Sequence, residues 1–127
     1  MLSAILAEDF VAQKLIQAGW MILAKNFRYI GCELDIVAKK KNTLIIVEVK
    51  YRRNSHGMQY AAAWDSLLPP NKRKALWRGA NIFLCKTRVP CHTVRFDLAV
   101  VLDKKAKEPN DGANFSLNYF VDVLARG

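Results

Sequence analysis

Asp35, Glu48 and Lys50 are the side chains of this sequence whose types and spacing could carry out a reaction. The first stands in a β-rich run, Glu33 to Lys39, and the other two in a second run, Thr43 to Lys50, with Lys40, Lys41 and Asn42 between the runs. That is the pattern of a hairpin. With Lys41 and Asn42 as its loop, Lys40 pairs with Thr43, Asp35 falls opposite Glu48, and Glu33 falls opposite Lys50. Side chains alternate along a strand and opposed residues share a face, so Glu33, Asp35, Glu48 and Lys50 are expected on one side. Leu34, Ile36, Val47 and Val49 then occupy the other. Lys-Asn is a moderate match to a two-residue turn, and a bulged or longer loop would shift this register.

Two carboxylates about 5 Å apart repel by roughly 3 kcal/mol at an effective dielectric of about 20, whereas a good cross-strand apolar pair contributes only about 0.2–1 kcal/mol. Stability alone would not select the arrangement. A hard divalent cation between Asp35 and Glu48 resolves it, because Mg2+, or Mn2+ in its place, takes oxygen ligands and is commonly held by one or two carboxylates with water and substrate phosphates. Lys50, two residues beyond Glu48 on the same face, is then placed to contact a scissile phosphate or an attacking water. The competing reading is a solvent-exposed charged strand face on which Lys50 neutralises Glu33 or Asp35. The residues by themselves leave both open.

The elements that must position these groups follow from hydrophobic period and punctuation. Ser3 can cap a first helix to about Ala18, ended by Gly19, with Ala4, Val11, Leu15 and Ala18 as its apolar stripe and Glu8 on the same side. Trp20 to Arg28 reads as a strand, followed by a turn through Gly31 and then the hairpin. A polar segment from Arg52 to Gln59 and a short helical turn around Tyr60 to Leu67 come next, interrupted by Pro69 and Pro70. Asn71 can cap a second long helix to about Lys86, with Ala75, Leu76, Ala80, Ile82 and Phe83 inward. Thr93 to Leu102 is apolar enough for a strand covered on both faces, and a polar loop from Lys104 to Asn114 leads to a last strand near Ser116 to Leu124. The order indicates an α/β fold, a mixed β-sheet flanked by helices, in one domain spanning residues 1–127.

Charge narrows the partners. The 127 residues carry 20 Lys and Arg against 11 Asp and Glu, a formal net charge of +9. The basic groups are spread through loops and element ends, at 39–41, at Lys50, Arg52 and Arg53, at Lys72, Arg73, Lys74 and Arg78, at Lys86 and Arg88, and at Lys104, Lys105 and Lys107. That distribution suits a polyanion better than a solvated tail does. The uncharged run Leu44 to Val47 falls far short of the roughly 20 apolar residues a membrane helix needs, and the start meets Glu8 and Asp9 without a basic leader. A cytoplasmic protein with no membrane partner is expected. Cys32, Cys85 and Cys91 form no disulfide pattern, and Cys85, Cys91 and His92 match no zinc spacing. Neither His56 nor His92 has the context of a nucleophilic triad.

Asp35, a gap of twelve residues, and Glu48-Val49-Lys50 resemble the D…(D/E)xK signature of the restriction-endonuclease-like superfamily, which includes Holliday-junction resolvases. Ala18-Gly19-Trp20, Asn26-Phe27-Arg28, Gly31-Cys32-Glu33-Leu34-Asp35, Val47 to Arg52, Lys72-Arg73 and Arg95-Phe96-Asp97 together resemble the uncharacterised YraN family of bacterial proteins, over nearly the whole chain. The resemblance implies a restriction-endonuclease-like fold. It implies that Asp35 and Glu48 bind the metal, with the Val49 carbonyl completing the coordination, that Lys50 is the catalytic lysine, and that Glu8 is the first-helix acid of resolvase-like members. Glu33 stands either as an auxiliary carboxylate or as the partner of Lys50.

Three functions are therefore carried forward. The first is a Mg2+- or Mn2+-dependent endonuclease acting on DNA, with branched and single-stranded forms among the candidate substrates and a homodimer as a candidate assembly. The second is a non-catalytic nucleic-acid-binding module of the same fold, and the third a protein-interaction scaffold whose charge aids solubility. In either nucleic-acid reading Arg52, Arg53, Lys72, Arg73 and Lys74 are the expected phosphate contacts, Lys72 to Lys74 being equally readable as a solvated helix face. Tyr51 and Tyr60 read as packed rings before base-stacking ones, Trp20, Trp64 and Trp77 as core or rim, and Asp97 as a partner of Arg95 outside the site.

Overall fold

The structure, a computed structural model, describes residues 2–53, 67–103 and 114–124. In chain order the elements are α1 (Leu2–Gln17), β1 (Met21–Tyr29), β2 (Cys32–Lys40), β3 (Thr43–Arg53), α2 (Pro70–Thr87), β4 (Thr93–Asp103) and β5 (Phe115–Phe120). The sheet order is β1-β2-β3-β4-β5, with β3 and β4 parallel and the other neighbours antiparallel. The expected mixed sheet flanked by helices is the observed architecture.

β3 lies at the centre, and its sequence shows why. Leu44, Ile45, Ile46 and Val47 are all buried, and they divide by parity between two cores. Leu44 and Ile46 join Val37, Leu98 and Val100 beneath Leu76, Ala80 and Phe83 of α2. Ile45 and Val47 join Ile36, Ala38, Ala99 and Val101 beneath Ala7, Val11, Ala12 and Leu15 of α1. One helix thus covers each face, and a strand buried on both faces must be a continuous apolar run. The run is broken at Glu48, which is itself buried.

The β2–β3 register is the one the two-residue loop requires, Lys40 with Thr43 through to Ile36 with Val47. Lys41 takes the positive φ, 55°, at the turn. The Asn42 carbonyl then accepts from the His92 and Thr93 amides at 2.7 and 3.2 Å, fixing the start of β4 beside the turn.

Several local expectations are corrected. Ser3 and Asn71 lie inside the first turns of α1 and α2 and cap neither helix; α2 opens on Pro69 and Pro70 with no side-chain cap, since proline's missing amide costs nothing at a first helical position. On α1, Ala4 and Ala18 are exposed and the stripe is Ala7, Val11, Ala12 and Leu15. Trp20 precedes β1, and β5 ends at Phe120 because Asp122 turns the chain with φ 62°. The helical turn at Tyr60, with His56 and Trp64, and the loop basic residues Lys104, Lys105 and Lys107 lie outside the described residues.

Candidate active site

Glu48 continues the parity of Leu44 and Ile46 and so projects toward α2. Its side chain is 5% exposed, and its Oε2 receives two ammonium groups, Lys50 Nζ at 3.2 Å and Lys72 Nζ at 3.3 Å. Lys50 comes from the next position of that parity on β3, and Lys72 from the first turn of α2. Glu48 Oε1, also buried, has no hydrogen-bond partner among the described residues. A buried carboxylate loses several kcal/mol of hydration unless both oxygens are engaged, so half of this group is left open to a further cation or donor.

Asp35 reaches the site differently from the expectation. β2 changes faces around it: Leu34 packs in the core under α2, whereas Ile36 packs under α1 and Val37 again under α2. Across the sheet Asn26 of β1 adopts a left-handed φ of 54°, a conformation asparagine tolerates better than most residues. Neither Asn26 nor Asp35 appears among the paired residues of β1 and β2. The β2–β3 ladder has ended at Ile36 and Val47, and Asp35 Oδ2 instead accepts a hydrogen bond from the Val49 amide at 2.9 Å. Burial first, and the Glu48 carboxylate second, push the Asp35 carboxyl up to about 7; the Val49 amide and Lys72 oppose the rise and Glu8 adds to it.

Glu8, half-buried beside Ala7, accepts a hydrogen bond from Asn26 Nδ2 at 3.0 Å. The left-handed residue therefore also ties α1 to β1 through Glu8. Lys50 and Lys72 meet at Glu48, Asp35 feels the Glu48 charge most strongly among its charged neighbours, and Glu8 bears on Asp35 more weakly.

Glu33 is not part of this group. It pairs with Arg28 in the β1–β2 register and forms an ion pair with it at 3.1 Å, so it is neither the partner of Lys50 nor an auxiliary carboxylate. Nor do Leu34, Ile36, Val47 and Val49 share one face, because the switch at Asp35 places Leu34 opposite Ile36.

Among the phosphate-contact candidates, Arg53 and Lys74 are exposed, and Arg52 donates to the Tyr51 carbonyl at 2.8 Å. Arg73 Nε donates to the Leu68 carbonyl at 2.6 Å. Tyr51 is a packed ring, its hydroxyl donating to Asp103 at 2.7 Å and its edge meeting Phe115. Asp97 lies apart from the site, held by Arg95 through two bonds of 3.0 and 2.9 Å and by the Tyr119 hydroxyl at 2.6 Å. Trp77 lies over Phe96 at the rim and Trp20 carries Lys40 and Arg95 against its ring.

The donor set fits one kind of ion. Among the described residues no three His, Cys, Asp or Glu side chains converge into a ready-made metal cage, and Cys85 is exposed at the surface of α2. Two neighbouring carboxylates with an open, buried oxygen suit a hard cation that completes its shell from phosphate and water, as Mg2+ does. Sequence reasoning missed Asn26, whose signal was an asparagine within an otherwise strand-like run, and it read Lys72 as a phosphate contact without seeing its partner Glu48.

Residues 7–101 match the sequence profile of the uncharacterised protein family UPF0102. A UPF0102 protein of Trichlorobacter lovleyi is 36% identical over 106 residues, which is 82% of this chain and 80% of the relative. One from Chlorobium phaeobacteroides is 30% identical over 117 residues, 92% of this chain and 88% of the relative. One from a Synechococcus species is 35% identical over 125 residues, 92% and 82%. The chain belongs to this family, the YraN family that its motifs resemble. No described helix is long and apolar enough to cross a membrane.

Proposed function

We propose that this UPF0102 protein is a metal-dependent endonuclease acting on DNA, with branched or single-stranded forms as its candidate substrates. The observation that carries the reading is the Glu48 carboxylate, buried in the central strand with Oε1 unpartnered and with Asp35 beside it. Asp35 and Glu48 would hold Mg2+ or Mn2+, the Val49 carbonyl being the third donor that the family resemblance implies. Such a cation supplies Lewis acidity, acidifying water and offsetting charge that develops on phosphate oxygens. Lys50 adds a positive group fixed by the strand that carries Glu48, so it needs no reorganisation as that charge grows. Asn26 holds Glu8 in place, and the Val49 amide holds Asp35. Arg52, Arg53, Arg73 and Lys74 would engage the phosphate backbone, a contact that positions DNA without reading its sequence.

Offering the purified chain branched, flap, single-stranded and duplex DNA tests the reading. Cleavage of at least one substrate is expected with Mg2+ or Mn2+ and none with EDTA. Asp35→Ala and Glu48→Ala should abolish it. Equal trace cleavage by the wild type and Glu48→Ala would mark a contaminating nuclease and leave a DNA-binding module.

A further inference from the structure

Glu48 Oε2 receives two lysines from two different elements while Oε1 receives nothing. Lys50 reaches it from two residues along the same strand, so its position is set by β3. Lys72 arrives from the covering helix, from the first turn of α2, on a long stem whose side chain is 32% exposed. Both ammonium groups end flexible four-carbon stems, but Lys72 is the more exposed, 32% against 24% for Lys50, which leaves it the more movable of the pair. α2 has no acidic residue in its first turn and no side-chain cap, so the neighbourhood of Lys72 is electropositive for a second reason.

We propose that Lys72 competes with a divalent cation for the Glu48 carboxylate and passes to the phosphodiester when the cation binds, so that cation and DNA bind cooperatively. The proposal rests on the metal-site reading above. Charge balance supplies its reason. With both carboxylates ionised, Asp35 and Glu48 are matched by Lys50 and Lys72. A divalent cation on the same carboxylates leaves two positive charges in excess, and the more movable ammonium is the one displaced. A phosphate of the DNA offsets one of those two charges and gives Lys72 a new partner. Each ligand therefore removes an obstacle to the other, and by linkage the coupling is reciprocal. Lys72 is on this account a positioning residue for the cation and a contact for the phosphate.

The test is Mn2+ affinity, measured on the full chain by calorimetry with and without an uncleavable phosphorothioate DNA. DNA should tighten Mn2+ binding to the wild type about tenfold, within the range usual for coupled sites. Lys72→Met should bind Mn2+ about tenfold more tightly without DNA, by loss of the competitor, and DNA should add little. Lys72→Arg should restore the wild-type pattern. Lys86→Met, which removes a positive charge from the far end of the same helix, should leave Mn2+ affinity at the wild-type value. Thermal melting confirms that each variant is folded. Unchanged or weakened Mn2+ binding by folded Lys72→Met overturns the proposal alone, as does an equal gain in Lys86→Met, which would make the effect one of net charge. Absence of Mn2+ binding by the wild type in both conditions overturns the metal-site reading and the proposal with it.

Discussion

The backbone amide of Val49 donates to Asp35 Oδ2 across 2.9 Å, just beyond the last paired residues of β2 and β3, Ile36 and Val47. In a continued antiparallel ladder that amide would bond a carbonyl of the neighbouring strand. The carboxylate takes the carbonyl's place, which keeps the amide satisfied while β2 turns its side chains over. The same bond fixes Asp35 against the strand that carries Glu48. The departure from regular pairing and the pairing of two acidic groups are thus one feature; burial first and the Glu48 charge second raise the Asp35 carboxyl to about 7, against the Val49 amide.

That elevation makes stability depend on pH with a definite sign. Between the ordinary carboxylate range near 4 and about 7, the folded protein keeps a proton on Asp35 that the unfolded chain has released. Stability from this group is therefore full below pH 4 and falls as the pH rises toward 7. In EDTA, Asp35→Asn should melt above the wild type at pH 8 and at about the same temperature at pH 4. A lower melting temperature at pH 8 would show that the charged carboxylate is a net stabiliser.

Gly79 of α2 tests the packing of the segment just before the switch. A Cβ there would lie 2.9 Å from Leu34 Cδ2 and 3.3 Å from its Cγ, and Leu34 is fully buried. Alanine gains roughly 1 kcal/mol of helix propensity over glycine, but overpacking a close-packed site typically costs about 1–3 kcal/mol. Gly79→Ala should therefore lose about 1 kcal/mol in urea unfolding. A gain would mean that Leu34, and Asp35 behind it, can shift freely.

Regular pairing was legible in the sequence, and its interruption was not. The two-residue loop of Lys41 and Asn42 sets Lys40 against Thr43 and Ile36 against Val47, and the hairpin follows that register. Extending the β2–β3 register would match Glu33 to Lys50, whereas the equally short β1–β2 turn at Ile30 and Gly31 brings Arg28 to it. The face switch at Asp35 coincides with the left-handed Asn26, nine residues earlier on another strand, and with the Val49 amide on a third. Arg95 and Asp97 share a face two residues apart and were readable as a pair. Lys72 and Glu48 meet only because α2 crosses back over the sheet between β3 and β4.

Asp97 should prove structural. It is 1% exposed and gathers Arg95, the Tyr119 hydroxyl and the Asp122 amide, tying β4 to β5 and to the turn that follows. Arg95, its side chain 27% exposed, can be rehydrated, but the half-buried Tyr119 hydroxyl loses its acceptor, which costs about 1–3 kcal/mol. Asp97→Ala should lose stability on that scale in urea, more than Asp97→Asn, which keeps an acceptor for the tyrosine. Retained stability in Asp97→Ala would mean that the Tyr119 hydroxyl finds another acceptor at no cost.

Glu48→Ala separates binding from catalysis. It removes the carboxylate proposed to hold the metal, so cleavage should vanish even in saturating Mn2+. Yet it also removes the one group to which both Lys50 and Lys72 are paired. Those side chains are 24% and 32% exposed, so each can be rehydrated or turned toward a phosphate, and the fold should not suffer as it would from a stranded buried charge. In EDTA the variant should bind DNA more tightly than the wild type at low salt. Each phosphate newly neutralised steepens the log-log salt dependence by about 0.9 on duplex DNA or 0.7 on single strands, so two released lysines steepen it by up to about 1.8 or 1.4. Lys50→Ala in the same background should take back roughly half of that gain. If Glu48→Ala binds no better and with an unchanged salt slope, the two lysines face the carboxylate and not the nucleic acid, and their place in the site is structural.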